Sequence, residues 1–141
     1  MLIDRLPPRW HGEALLTQVL IADDNQPLRT ALCKAIEDHP GWVCAEARNG
    51  PDALRKIQQG APDILILDLC MPVMDGLQAA RAINKLLPDL PILLCTTYLP
   101  PSLISMARRC GIQGTVSKYD SRQIVSGIEA LLRHETFFCR N

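Results

Sequence analysis

Short apolar runs alternate with segments of helical periodicity along most of this chain, and that alternation limits the possible folds more than any other feature. Five runs, several of them apolar throughout, are typical of buried parallel strands: residues 18–22, 42–46, 63–67, 91–95 and 113–117. Apolar residues three and four apart, as at Leu28, Leu32 and Ile36, predict helices between the runs. Weaker patterns predict helices over 76–86 and 101–109. Five strand–helix units in succession predict a parallel sheet with helices on both faces.

The length of 141 residues fits one such α/β domain. We predict an N-terminal extension over residues 1–17, where a Pro-Pro pair interrupts a weak apolar pattern, and the α/β domain over 18–133. Residues 134–141 are then a C-terminal tail or the start of a linker. Asp120, with Gln123 three residues later, predicts a capping box at the start of the last helix.

Composition excludes several classes of function. Fifteen basic and fifteen acidic side chains cancel, and aromatic residues make up only 4% of the chain. Nucleic-acid-binding surfaces normally have a basic excess and stacking aromatics, so we expect no direct nucleic-acid binding by this chain alone. The apolar runs are too short to cross a membrane and no apolar leader is visible, so we expect a cytoplasmic protein with no membrane partner.

The six cysteines are expected to form no disulfide framework. They include no C-x-x-C pair and no zinc-like spacing with the three histidines. Disulfides are also rare in the cytoplasm, the compartment expected for this chain. Cys44 and Cys95 lie in apolar runs and are expected in the core.

Polar side chains follow four of the predicted strands. Asp23 and Asp24 follow the first strand, Asp68 the third, Thr96 the fourth and Lys118 the fifth. Ligands of an open parallel sheet bind beyond the carboxyl ends of its strands. We therefore expect these five side chains to meet at one edge of the sheet. Taken singly they have plainer interpretations, as helix caps, a strand residue or a solvated lysine, and only their joint placement favours a site.

Three carboxylates in one cleft repel one another, by roughly 3 kcal/mol per pair at about 5 Å and an effective dielectric near 20. A hard divalent cation removes that repulsion, and Mg²⁺ typically takes one or two carboxylates together with water and phosphate oxygens. A carboxylate beside such a metal can attack a phosphoryl group in line and become an acyl phosphate. Lys118 and Thr96 can bind the phosphoryl oxygens. The pattern predicts Mg²⁺-dependent phosphoryl chemistry at Asp68.

The run DLCMPVMDG, from Asp68 to Gly76, resembles the D-x-x-M-P-x-M-D-G signature of response-regulator receiver domains. The Asp pair, the Thr and the Lys also fall in that family's order, and the resemblance covers residues 18 to about 133. It is closest to the receivers of LuxR/FixJ/NarL-type regulators. The resemblance implies the doubly wound (βα)5 fold of flavodoxin-like proteins, with a five-stranded parallel sheet in the strand order 2-1-3-4-5.

The same resemblance implies a role for each residue of the predicted site. Asp68 would be the phosphoacceptor, Thr96 the switch hydroxyl and Lys118 the amine that pairs with the phosphoryl group. Mg²⁺ is the implied cofactor, and its implied ligands are Asp23, Asp24, Asp68 and the backbone carbonyl of Cys70.

Two positions depart from the family pattern. Thr115 stands where many receivers have Tyr or Phe, an aromatic that rotates inward when the switch hydroxyl moves. Tyr119 stands where many have proline after the lysine, so no cis peptide bond is expected there. Tyr98, two residues past Thr96, is a candidate to take over part of the aromatic's role or to cover the site.

The implied function is a phosphoacceptor signalling module and not an enzyme that acts on other substrates. A histidine kinase or phosphotransfer protein would phosphorylate Asp68 and so switch an output surface around the fourth helix, fifth strand and fifth helix, with a homodimer formed through the last helices. Two alternatives stay open: the receiver part of a longer LuxR-type DNA-binding transcription regulator, and a receiver-like adaptor that is never phosphorylated.

Two further classes fit less well. A phosphatase of the haloacid-dehalogenase type would need a second Asp where Cys70 stands. A flavin-binding module would need Ser, Thr and Gly in its first loop to cradle phosphate, where Asp23 and Asp24 would repel it.

Overall fold

Strands and helices alternate along residues 15–139, the part of the chain that the computed structural model describes. The strands are β1 (Thr17–Ala22), β2 (Trp42–Ala47), β3 (Ile64–Asp68), β4 (Ile92–Thr96), β5 (Gly114–Ser117) and β6 (Phe137–Phe138). The helices are α1 (Gln26–Glu37), α2 (Gly50–Gln59), α3 (Gly76–Leu86), α4 (Pro101–Arg109) and α5 (Ser121–Leu132). Residues 1–14 of the predicted extension and residues 140–141 of the predicted tail lie outside the described residues.

The strands form one parallel sheet in the order β2-β1-β3-β4-β5-β6. Its first five strands have the predicted order 2-1-3-4-5, and each lies within one residue of its predicted bounds, so the predicted fold is confirmed. The helices predicted over 76–86 and 101–109 begin and end at those residues. β1 connects to β2 on one side of it, and β2 then connects to β3 on the other side of β1. The carboxyl ends of β1 and β3 therefore mark the point where ligands of such sheets bind.

Both faces of the sheet are covered, because its central strands are apolar on both sides. In β3 the side chains of Leu65 and Leu67 join a core with α2, α3 and α4, and those of Ile64 and Ile66 join a core with α1 and α5. All residues of β3 and β4 are buried. These two cores fix the strand ends that hold the site. No helix within residues 15–139 has the length and hydropathy needed to span a membrane.

A sixth strand extends the sheet beyond the prediction. Phe137–Phe138 pairs in parallel with the start of β5 at the outer edge of the sheet. The amide of Cys139 donates to the Thr115 carbonyl (2.9 Å), and the buried Thr115 hydroxyl donates to the Cys139 carbonyl (2.9 Å). Part of the segment predicted as a tail or linker is therefore an edge strand.

One cysteine pair contradicts the sequence prediction. Cys33 on α1 and Cys44 on β2 form a disulfide, with their Cα atoms 5.5 Å apart. Cys44 is only half-buried, whereas Cys95 is buried as expected. The prediction of no disulfide was wrong because it considered compartment and cysteine spacing alone. The packing of α1 on β2 brings together two residues that are 11 positions apart.

Side-chain caps begin α3 and α5. Asp75 and Gln78 form a capping box at α3, since each side chain accepts the other residue's backbone N–H. Asp120 caps α5 as predicted, but the Gln123 side chain accepts the N–H of Ser117 (3.2 Å) and not that of Asp120. The predicted box at α5 is thus half formed, and Gln123 joins α5 to β5.

Candidate functional site

The predicted site residues come together at the carboxyl ends of the strands. Asp68 and Thr96 are the last residues of β3 and β4, Asp23 and Asp24 follow β1, and Lys118 follows β5. One carboxylate oxygen from each of the three acids lies within 4.8 Å of the others. The expectation that these acids share one edge of the sheet therefore agrees with the geometry.

Lys118 bridges two of the acids. Its Nζ lies 3.0 Å from Asp23 Oδ2 and 3.0 Å from Asp68 Oδ1, and its side chain is almost buried. Its backbone N–H donates to the carbonyl of Thr96 (3.0 Å), which ties the lysine to the end of β4. Burial opposes the charge, but the hydrogen bonds to Asp23 and Asp68 together outweigh it and raise the pKa of the Lys118 ammonium. Lys118 therefore stays protonated as the counter-charge of the acids.

Asp68 is the most perturbed acid of the site. Its side chain is nearly buried, and this burial, helped by the charge of Asp23, raises the pKa of Asp68 to about 6 against the opposing effect of Lys118. Its Oδ1 accepts the N–H of Cys70 (3.3 Å), whereas its buried Oδ2 has no hydrogen-bond partner among the described residues. A buried carboxylate oxygen without a partner is costly, so it marks a position for a further ligand.

The other two acids differ in exposure. Asp23 is buried, and its Oδ1 accepts the N–H of Asn25 (2.8 Å), which holds the carboxylate toward Lys118. Asp24 is exposed. The donor set is all oxygen, with two buried carboxylates and one open to water, and this combination fits a hard cation such as Mg²⁺ that keeps part of its hydration shell.

The loop between β3 and α3 packs against the phosphoacceptor candidate. The N–H of Gly76 donates to the Leu69 carbonyl (2.8 Å), and a Cβ at Gly76 would lie 2.3 Å from the Asp68 carbonyl oxygen. Only glycine allows this approach, so the Gly of the signature lets α3 start directly against Asp68. Val73, in the same loop, has a φ of 72° and a fully exposed side chain.

The other residues singled out in the sequence have no side-chain contact with the three acids among the contacts described above. The Thr96 side chain is buried at the end of β4, and the Cys70 thiol is exposed while its N–H contacts Asp68. Tyr98 is 64% exposed. Thr115 anchors β6, and residues 15–139 contain no cis peptide bond, in agreement with Tyr119 after the lysine.

Arg29 was missed by the sequence reasoning. Its side chain is only 8% exposed, and its guanidinium donates to the backbone carbonyl of Asp23 (2.7 Å) and to Glu46 Oε1 (2.7 Å). The signal that could have found it is its spacing, because Arg29, Leu32 and Ile36 share the buried face of α1. An arginine at an apolar position of a helix is either paired or costly.

Comparisons with known proteins agree with this fold. The family model described as the response regulator receiver domain matches residues 19–129. The chemotaxis protein CheY of Listeria monocytogenes is 30% identical over 115 residues, which cover 81% of this chain and 97% of that protein. Transcriptional regulatory protein LnrK of Bacillus subtilis is 32% identical over 104 residues, 73% of this chain, and the chain spans only about half of its length (47%).

A solved structure shows the same likeness. The crystal structure of a LuxR-family two-component response regulator from Aurantimonas sp. SI85-9A1 superposes with a TM-score of 0.83 at 28% identity, covering 86% of this chain and 89% of that one. The residues matched by the family model include most of β1 and all of β3, β4 and β5, whose carboxyl ends carry the acids, Thr96 and Lys118. The chain therefore belongs to the family of response-regulator receiver domains, the signalling modules of two-component systems.

Proposed function

We propose that this receiver is phosphorylated on Asp68, in a Mg²⁺-dependent reaction, by a histidine kinase or a phosphotransfer protein. The observation that supports it best is the buried Oδ2 of Asp68, which has no hydrogen-bond partner among the described residues, in a cluster of three carboxylates and one ammonium. Buried carboxylate oxygens without a hydrogen bond are uncommon in folded proteins, so this oxygen favours a site that takes a further ligand over acids that serve only as helix caps.

Each site residue has a role in this proposal. Asp23, Asp24, Asp68 and the backbone carbonyl of Cys70 would hold Mg²⁺, which when bound would offset the negative charge of the phosphoryl oxygens. The Asp68 carboxylate forms the new O–P bond while the P–N bond of the donor's phosphohistidine breaks. Lys118 then exchanges its contact with Asp68 for a phosphoryl oxygen, and the Thr96 hydroxyl donates to another.

The proposed output follows from the elements that carry Thr96 and Lys118. These residues end β4 and begin the loop after β5, so their movement shifts the equilibrium between two arrangements of α4, β5 and α5. Met106 on α4 is partly exposed there, while Leu103 and Ala107 are core. A homodimer through the last helices, a cytoplasmic location, and the lack of both direct nucleic-acid binding and activity on other substrates belong to the same proposal.

A second candidate is the receiver part of a longer LuxR-type transcription regulator. It is favoured by the similarity to a LuxR-family response regulator and by the half-length match to LnrK, a transcriptional regulatory protein. In both candidates the chemistry at Asp68 is the same, and only the element that the receiver controls differs.

The test is labelling with acetyl phosphate and Mg²⁺, followed by intact-mass analysis. The native chain is expected to gain about 80 Da, the mass of one phosphoryl group, and to lose it at alkaline pH as an acyl phosphate does. Asp68→Asn should gain nothing. Asp75→Asn is the matched control, because Asp75 lies in the same loop and asparagine also caps helices well. Equal labelling of Asp68→Asn would refute the assignment, and an unlabelled native chain would favour the non-phosphorylated adaptor.

A further inference from the structure

Arg29 is a buried cation directly behind the acid cluster. It lies on the face of α1 that otherwise buries Leu32, Cys33 and Ile36. Burying a guanidinium is costly unless its donors are paired. Here the Nε donates to Glu46 Oε1 (2.7 Å) and Nη1 donates to the Asp23 carbonyl (2.7 Å). The second of these bonds connects Arg29 to Asp23, one of the three acids of the site.

The backbone of Asp23 is held from two sides. Its N–H donates to the Ala47 carbonyl on β2 (3.2 Å), and its carbonyl accepts from Arg29 on α1. With the peptide groups on both sides of Cα anchored, the direction of the Asp23 Cα–Cβ bond is fixed, and the side chain starts from a position that faces Lys118 and Asp68. The carboxylate oxygens themselves contact Asn25 and Lys118.

Hydrogen-bond geometry, more than charge, connects Arg29 to the site. Glu46 lies against the guanidinium and offsets its positive charge at the distance of the acids. Glu46 also accepts from the hydroxyl of Thr30 (3.2 Å), so it is fixed to α1 at two points. A planar fork is needed to reach Glu46 and the Asp23 carbonyl together, and a lysine ammonium on a flexible chain does not supply it.

We infer that Arg29, anchored by Glu46, is a positioning residue for the metal site: it fixes the backbone of Asp23 so that the Asp23 carboxylate is preset to bind Mg²⁺ together with Asp24 and Asp68. Arg29 touches neither the metal position nor the phosphoryl group, and it acts only through Asp23. The inference rests on the proposed function, because it takes Asp23 as a metal ligand.

The test compares Mg²⁺ affinity with fold stability in the full chain. Mg²⁺ alone is titrated calorimetrically into the native protein, Arg29→Lys and Arg55→Lys, and the urea midpoint of each is measured in EDTA. Arg55 is the matched control, because it too pairs with a buried carboxylate, that of Asp52, which is not one of the three acids. Arg29→Lys is expected to weaken Mg²⁺ binding about tenfold, the usual effect of losing a group that orients a metal ligand. Arg55→Lys is expected to leave the Mg²⁺ Kd unchanged.

The outcomes separate a positioning role from a structural one. If Arg29→Lys lowers the urea midpoint but binds Mg²⁺ with the native Kd, Arg29 contributes only to the stability of the fold and the inference is overturned. Should Arg29→Lys fail to fold, Glu46→Gln takes its place in the test, because it keeps Arg29 and weakens the contact that anchors it. Several-fold weaker Mg²⁺ binding by Glu46→Gln supports the inference, and a native Kd overturns it. A native chain that binds no Mg²⁺ would instead refute the proposed metal site.

Discussion

Replacing Asp68 by asparagine is expected to stabilise the metal-free protein at neutral pH. The folded chain raises the pKa of the Asp68 carboxyl from 3.8 to about 6, chiefly by burying it. Between these two values the folded state holds the proton and the unfolded state does not, so the stability of the native protein falls as the pH rises from about 4 to about 6. Above about pH 6 the loss of folding stability caused by the buried Asp68 carboxylate no longer changes with pH. Two pKa units at 1.36 kcal/mol each correspond to about 2 to 3 kcal/mol.

The assay is urea unfolding of the native protein and Asp68→Asn in EDTA at several pH values between about 4 and 8. Asparagine does not ionise, so the free energy of unfolding of the variant minus that of the native protein should rise from near zero at about pH 4 to about 2 to 3 kcal/mol above pH 7. Asp75→Asn, in the same loop but outside the acid cluster, serves as the control variant. Equal slopes for Asp68→Asn and the native protein, or a variant less stable at pH 7.5, would show that Lys118 fully compensates the buried charge.

Two further predictions concern other parts of the fold. Gly76→Ala should destabilise the protein by about 1 to 3 kcal/mol, since a Cβ there meets the Asp68 carbonyl oxygen at 2.3 Å; an unchanged urea midpoint would show that the loop moves aside freely. Asp52→Asn should cost roughly 1 to 2 kcal/mol at neutral pH, allowing for its partly exposed partners. The N–H of Arg48, with Arg55 and Lys56, lowers the pKa of Asp52 to about 2 despite burial, so this difference should vanish as the pH falls from about 4 to 2, and a difference that persists in acid would contradict it.

The order of elements and the place of the site could be predicted because they depend on local patterns. An unbroken apolar run such as Ile64–Leu67 is compatible with a strand buried on both faces, and parallel strands all end at the same edge of the sheet. Asp68, Thr96 and Lys118 therefore had to lie near one another once the strands were identified.

The details inside the site could not be predicted in this way. That Lys118 bridges Asp23 and Asp68, and that one oxygen of Asp68 is left without a partner, depends on side-chain positions that no spacing encodes. Arg29 was missed because an arginine on a helix is usually solvated, and its pairing with Glu46 joins α1 to β2 across 17 residues.

The errors have similar causes. The Cys33–Cys44 contact forms only when α1 packs on β2, which is tertiary structure. β6 contains two residues, too few for any periodicity to be visible. Gln123 completes the hydrogen bonding of β5 and not of its own helix start, because a nearby strand end competes for the same side chain.

The shortness of β6 has a consequence for how the domain opens. Its two rings point to opposite faces of the sheet: Phe137 packs into the core with α1 and α5, and Phe138 packs against the core with α2, α3 and α4, under the guanidinium of Arg108 at 4.3 Å. Lifting the strand must therefore uncover both helical layers at once. In amide hydrogen exchange, a two-residue edge strand would ordinarily exchange quickly, whereas the N–H groups of Phe137 and Cys139 are expected to exchange with the slow, cooperative unit that contains β5.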